Sequence, residues 1–330
     1  MRLPFLSKNR IANLEIKDDV IRYVEIKNKH PLVISRFGER YLPKGTIEQG
    51  RIVDIESFQQ ILRDCIQKWK LKGKSIQFLI PDSAVVIRKV DVPVDVPNEE
   101  IKGHLYFELD HSIHLPFDEP VLDAVVLKET EQKKEVLLVA APESIVHALS
   151  DQLKDFRTNP IVADISPLSQ YRLFHHFHLT NDGEHYLLLQ LNMNSVTVSI
   201  FDENRPTFMQ LFHIPYMKEA WDPEISEDGS SLHFRHCDQD MILTAFQDIY
   251  IEIDRILRFY QYSLHNGTRE ITKILLTGDH PFFTLIMQTM KQRYNIPVLT
   301  ISSELAQTVQ NETLDQRWYS ALGLAIREGT

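Results

Sequence analysis

The sequence predicts an α/β protein made of two related halves that face each other across a cleft. Three observations lead there. Residues 10–26 and 186–202 both read as hairpins in which apolar strands flank a polar turn. Each is followed by a third strand and later by an αβα segment, so the order of elements repeats. The composition, 43% hydrophobic and 25% charged over 330 residues, is that of a chain folded throughout, with length enough for two domains.

In the first half, apolar residues alternate on both sides of Lys17-Asp18-Asp19, and a third strand falls near 31–42. Gly45 and Gly50 mark a loop. Asp54 is placed to cap a helix running to about Leu71, with Ile55, Phe58, Ile61, Leu62, Cys65, Ile66 and Trp69 on one stripe. Cys65 lies on that stripe and reads as a core residue. Ser75–Ile80 is a strand whose apolar run suits a buried sheet, ended by Pro81-Asp82-Ser83. A strand follows over 84–92. A helix starts at Pro97-Asn98, with Ile101, Leu105, Leu109 and Ile113 recurring every four residues until Pro116. Residues 135–140 read as a strand, 142–156 as a helix, 161–165 as a strand and 167–176 as a helix with Pro167 in its first turn. The polar stretch 179–184 divides the halves, giving domains of 1–180 and 181–330.

In the second half, Tyr186–Leu191 and 196–202 form the hairpin around Asn192-Met193-Asn194-Ser195, and 206–213 is its third strand. Residues 217–238 read as an irregular acidic excursion, with the run 222–228 a solvated loop. A long helix is expected over 240–264, a strand over 271–277, a helix over 282–293 and a strand over 297–301. Two short helices, 303–310 and 317–327, close the pattern.

Several functions are excluded or disfavoured by simple counts. The net charge of −10 argues against a nucleic-acid partner. The eleven glycines lie at least five residues apart, so GxGxxG is absent, and Gly45 and Gly50, at that spacing, are followed by Arg51-Ile52, so GxxxxGK[ST] is absent as well. Cys65 and Cys237 make neither a disulfide framework nor a zinc site and suit a reducing compartment. His175-His176-Phe177-His178 reads as a helix end, and the segment 233–238 as a polar loop; neither has zinc spacing, so no metal is expected. No run reaches the ~18 apolar residues of a membrane helix, and 1–8 is too short for a secretory signal. A cytoplasmic location is the expectation.

Several segments together resemble the PilM family of type IV pilus assembly proteins, actin-like relatives of FtsA. They are Ile21-Arg22-Tyr23-Val24-Glu25-Ile26, Gly50-Arg51-Ile52-Val53-Asp54, Val90-Asp91-Val92-Pro93 with Ile113-His114-Leu115-Pro116-Phe117, Asp164-Ile165-Ser166-Pro167-Leu168, Glu252-Ile253-Asp254-Arg255, and Ala321-Leu322-Gly323-Leu324-Ala325-Ile326-Arg327. Their order and spacing carry the likeness from about residue 10 to 328. The resemblance implies an actin-like fold with a small α/β subdomain, about 84–159, inserted in the first domain. It also implies the nucleotide loops. Where the family's acid and glycine would stand, the first hairpin has Glu15 and Lys17, followed by Asp18 and Asp19. The second hairpin has Gln190 and Asn192. In the adenine-side turn Gly278 is kept, but Asp279 replaces a glycine. Side chains would fill space left for phosphate, and the added carboxylates would repel it, with Lys17 offsetting part of that repulsion. The reading is therefore an adaptor with ATP and Mg²⁺ binding weakened or lost, no catalytic residues and no required cofactor.

As a partner the resemblance implies a PilN-like membrane protein, whose extended cytoplasmic tail would lie between the first subdomain and the inserted one. Other pilus-machine components are further partners. Arg88, Leu105 and Leu109 are the candidate contacts. The protein would then sit at the inner face of the cell membrane through its partner, without inserting. Two alternatives remain: an active Mg-ATPase switch using Glu15 and Gln190, and an FtsA-like polymer-forming scaffold. The chain's end at Arg327-Glu328-Gly329-Thr330 argues against an anchor of the FtsA kind.

Overall fold

The computed structural model describes residues 11–109, 111–214 and 221–327. The sequence readings for 1–10, 215–220 and 328–330 lie outside the described residues. In chain order, β1 (Ala12–Ile16), β2 (Val20–Asn28) and β3 (Val33–Tyr41) form an antiparallel meander. The short pair β4 (Ile47–Glu48) and β5 (Arg51–Ile52) leads into α1 (Ile55–Lys68), and β6 (Ser75–Ile80) returns parallel to β1. Next come β7 (Val86–Pro93), α2 (Ile101–Glu108), β8 (Pro120–Glu129) and β9 (Lys133–Pro142). They are followed by α3 (Glu143–Asp155), β10 (Asn159–Ile165) and α4 (Ser166–His176). The second half has β11 (Tyr186–Leu191), β12 (Ser195–Asp202), β13 (Arg205–His213), β14 (Trp221–Ile225) and β15 (Leu232–Cys237). Then α5 (Gln239–Arg258), β16 (Lys273–Gly278), α6 (Phe283–Arg293), β17 (Val298–Leu299), β18 (Gln307–Thr308) and α7 (Tyr319–Ala325) complete it.

The larger sheets have the orders β10-β6-β1-β2-β3-β18 and β13-β12-β11-β16-β17, and a three-stranded sheet β7-β9-β8 is inserted in the first half. The repeated hairpin is thus real: β1–β2 and β11–β12 occupy corresponding places, each with a parallel strand, β6 or β16, beside the first strand. The α1 stripe is buried as its spacing predicts, and the Asp54 carboxylate accepts from the Ser57 N–H at 3.1 Å. Cys65 is buried, which pushes its thiol up to about 12, as befits a core residue.

Four expectations need correction. The helix read over 98–113 ends at Glu108. Leu109 is extended, and the Glu108 carbonyl gathers the N–H groups of His111, Ser112 and Ile113 into a turn. Leu105 and Ile113 still meet in one core, so the spacing reported burial rather than helix. The inserted unit stops near Pro142, because α3 buries Ile145, Leu149 and Leu153 in the core under the first sheet. Residues 221–237 are a hairpin, β14–β15, rather than irregular chain. The helix expected over 303–310 is a single 3₁₀ turn, Ser303–Leu305, followed by β18, which pairs with β3.

The last of these ties the halves together. Although β18 and α7 follow the second half in sequence, they complete the first. α7 crosses α4 so closely that a Cβ on Gly323 would sit 1.9 Å from the Ser169 carbonyl oxygen. One apolar cluster takes Val24 and Ile34 from the first sheet, Leu188 and Leu275 from the second, and Trp318 and Leu322 from the returning segment. The long helix read over 240–264 is also modified: α5 is capped by Asp238, and Phe259–Leu264 widens into a π-helical turn.

Candidate functional site

One concavity gathers the hairpin-turn positions picked out by sequence, and a second lies between two sheet edges. The first is the cleft between the hairpin turns. Lys17-Asp18-Asp19 closes one hairpin, with the Lys17 N–H donating to Val20 O, and 192–194 closes the other, with the Asn192 N–H donating to Ser195 O. Lys17 Nζ crosses the gap between them. It donates to Asn192 Oδ1 at 2.9 Å and Asp279 Oδ2 at 3.2 Å, and lies 3.2 Å from Glu15 Oε1. Arg22, the register partner of Glu15 across β1–β2, reaches Asp279 with Nη1 and Glu39 with Nε. Burial alone would lower the Lys17 and Arg22 pKa values, but the carboxylates of Asp279 and Glu15 outweigh it and hold both above their ordinary values. Burial would likewise raise the Asp279 carboxyl, but Lys17 and Arg22 hold it well below the usual carboxylate range.

A second chain of contacts continues inward. Gln190 Nε2 donates to Asn192 Oδ1 at 2.9 Å. The Ser166 hydroxyl lies 2.8 Å from Gln190 Oε1 and 2.6 Å from Asp82 Oδ1, and its one hydrogen serves one of them at a time. Thr197 donates to Asp82 Oδ2 at 2.8 Å. Burial raises the Asp82 carboxyl against these two hydroxyls. The space left among Lys17, Asp82, Ser83, Asn192, Ser195 and His213 is about 110 Å³. Ligand sites ordinarily offer ~300 Å³ or more.

The structure thus brings Glu15, Lys17, Gln190, Asn192 and Asp279 together. Asp18, expected to face phosphate, lines the cleft wall while its carboxylate accepts the N–H groups of Gln49 and Gly50 at 2.7 and 2.9 Å. Gly278 has φ of +130°, and a Cβ there would meet the Leu191 carbonyl oxygen at 2.0 Å, so its glycine is required by the β16–β11 contact itself. Sequence reasoning missed Arg22, Asp82, Ser166 and Thr197. Arg22 gave a signal, a charge among Val20, Ile21, Tyr23 and Val24, directly opposite Glu15. Asp82 gave another, an acid at the carboxyl end of a parallel strand.

The second concavity is a groove of about 460 Å³ between two sheet edges. β8 is an edge of the inserted sheet and β10 an edge of the first sheet. Val121, Val125 and Val139 form one side, Ala163, Ile165 and Leu168 the other, and Arg172, Arg205, Arg327, Asp164 and Asp123 supply charge. Arg172 Nη2 donates to Asp164 Oδ2 at 3.0 Å, and Arg205 Nη1 donates to the carbonyls of Val126 and Leu127. The sequence candidates for partner contact do not line this groove. Leu105 is 1% exposed in the core of the inserted unit, and Leu109 packs on the same core. Arg88 is exposed and donates to the His114 carbonyl at 2.6 Å, outside the groove lining.

The model of the family described as type IV pilus assembly protein PilM matches residues 13–211, from β1 to β13. The chain belongs to the PilM family. The solved structure of a PilM–PilN type IV pilus biogenesis complex resembles this PilM-family chain with a TM-score of 0.74, at 18% identity, covering 96% of this chain and 98% of that one. The cytoplasmic domain of EpsL, an inner-membrane component of the type II secretion system of Vibrio cholerae, follows at 0.50 and 10%, covering 97% and 96%. MreB5 of Spiroplasma citri bound to ADP gives 0.51 and 9%, again covering 97% and 96%. At these identities the likeness speaks to fold, and the fold is actin-like, as the resemblance implied. Among the described residues of this PilM-family chain, no helix is long and apolar enough to cross a membrane.

Proposed function

We propose that this chain is an actin-like adaptor of a type IV pilus or competence-type machine. It holds the extended cytoplasmic tail of a PilN-like inner-membrane protein and does so without using ATP. The observation that carries the reading is the groove between two unpaired sheet edges. An extended peptide laid against β8 or β10 gains main-chain hydrogen bonds, and the valine-lined wall offers pockets for alternate side chains. The PilM–PilN complex of the same fold supports the choice of partner. The protein then sits at the inner face of the membrane through that tail, beside other components of the machine.

The cleft supports the second half of the reading. A triphosphate between the hairpin turns must displace the Lys17 bridge to Asn192 and Asp279 and enter among Glu15, Asp19 and Asp279. The protein is accordingly a pseudo-ATPase with no cofactor.

Titration of a PilN-like tail peptide tests the groove. Val125→Asp, on the exposed side of the edge strand, weakens binding about tenfold or more, whereas Arg88→Glu leaves it within about twofold. Unchanged affinity in the Val125 variant removes the groove. Thermal unfolding tests the cleft. A bound ligand at ~100 times its Kd stabilises by about 2.7 kcal/mol and raises Tm by several degrees. No shift is expected with millimolar Mg-ATP; a clear shift transfers the assignment to an ATPase switch.

A further inference from the structure

The end of the first sheet opposite the cleft is cationic. β1, β3, β6 and β10 begin there and β2 ends there. The turns before β6 and β10 are tied together by the Gly73 N–H to the Arg157 carbonyl, 2.7 Å, and the Asn159 N–H to the Lys74 carbonyl, 2.9 Å. Lys27, Lys70, Lys72 and Arg157 are exposed at this end. No ion pair among the described residues engages them. Lys74 and Lys154 are paired with Glu25 and Asp151, and Lys29 Nζ donates to the carbonyls of Ile326 and Arg327. The opposing carboxylates are Glu25 and Asp151, both paired, the exposed Asp155, and Glu304 at the border. The face therefore carries an excess of positive charge in a chain of net charge −10.

Apolar surface adjoins these charges. A depression of about 500 Å³ beside Lys27 is walled by Val33, Phe177, Leu305 and Val309, and the last two are exposed. The chain also enters the fold here, through the exposed Ile11 ahead of β1.

We propose that this end of the molecule docks on an anionic lipid surface. Clusters of about four to eight basic residues suffice for such attraction, and cations mixed with leucine and phenylalanine are the composition of a membrane–water boundary. A nucleic acid would use the charges but would gain nothing from Leu305 and Val309. The proposal stands apart from the tail groove and from the state of the cleft.

Co-sedimentation of the full chain with vesicles tests it. Vesicles of equal parts phosphatidylcholine and phosphatidylglycerol should carry the protein down at about 0.05 M salt and release most of it at about 0.3 M. Pure phosphatidylcholine should not bind it. The combined variant Lys27→Glu, Lys70→Glu and Lys72→Glu should lose binding about tenfold or more with an unchanged Tm, and the matching Lys→Arg variant should keep it. If the reversed variant melts lower, Lys→Gln at the three positions replaces it, with a loss of about threefold or more expected. Absence of binding to the mixed vesicles, equal binding to pure phosphatidylcholine, or undiminished binding by the folded variants overturns the proposal. So does retention of single-stranded DNA without retention of vesicles, which assigns the face to nucleic acid.

Discussion

Lys17 bridges the two hairpin turns, and its ammonium occupies the gap with Asn192, Asp279 and Glu15 around it. Arg22 lies behind it, its side chain 2% exposed, between Asp279, Glu39 and Glu15. Removing one partner from such a cluster leaves a buried charge without its counter-ion. Asp279→Ala should therefore lower unfolding free energy by about 3 kcal/mol, read from the urea midpoint at constant slope. Asp19 behaves oppositely. Burial, with Asp279 nearby, raises its carboxyl to about 6 against Lys17 and Arg22. A folded pKa above the unfolded 3.8 means that ionising the group costs the folded state, so this stability falls as pH rises from about 4 to 6. Asp19→Asn should stabilise at pH 7 by on the order of 1–2 kcal/mol and change nothing below pH ~4, measured by parallel urea titrations. Glu15, Lys17, Gln190 and Asn192 could be put on two hairpin turns because the strands that carry them read clearly, and the family resemblance is what picked them out. Their mutual bonding was not, since it depends on how closely two halves distant in sequence approach.

Elements with sustained burial were the most legible. The α1 stripe and the two hairpins follow directly from apolar spacing. β8 gave no reading because an edge strand lacks the sustained burial that makes alternation visible, and its side chains are nowhere fully buried. α2 misled for the reverse reason: Leu109 and Ile113 keep a four-residue beat while the backbone leaves the helix after Glu108. The α4–α7 crossing could not be foreseen, yet Gly323 fixes it. With Ser169 O only 1.9 Å from the site of an added Cβ, Gly323→Ala should force the helices apart and cost about 1–3 kcal/mol. A Tm lowered by several degrees, with far-ultraviolet circular dichroism retained at low temperature, is the expected record.

At the scale of the molecule, the halves are joined by the cross-cleft ion cluster, by the apolar cluster holding Val24, Leu188 and Trp318, and by the Tyr41 N–H, which donates to Gly229 O in the β14–β15 hairpin. Halves so connected should melt as one. Scanning calorimetry should record a single transition in which calorimetric and van't Hoff enthalpies agree, and two resolved peaks would refute this. The return of β18 and α7 to the first half has a consequence in the cell. Residues 307–325 leave the ribosome well over a hundred residues after β10, roughly 10–30 s later at ordinary elongation rates. Until then a nascent chain presents the outer edge of β3 unpaired and the α4 surface bare. The first half is translated early but finished late, which makes it a natural client for chaperones that hold an emerging polypeptide.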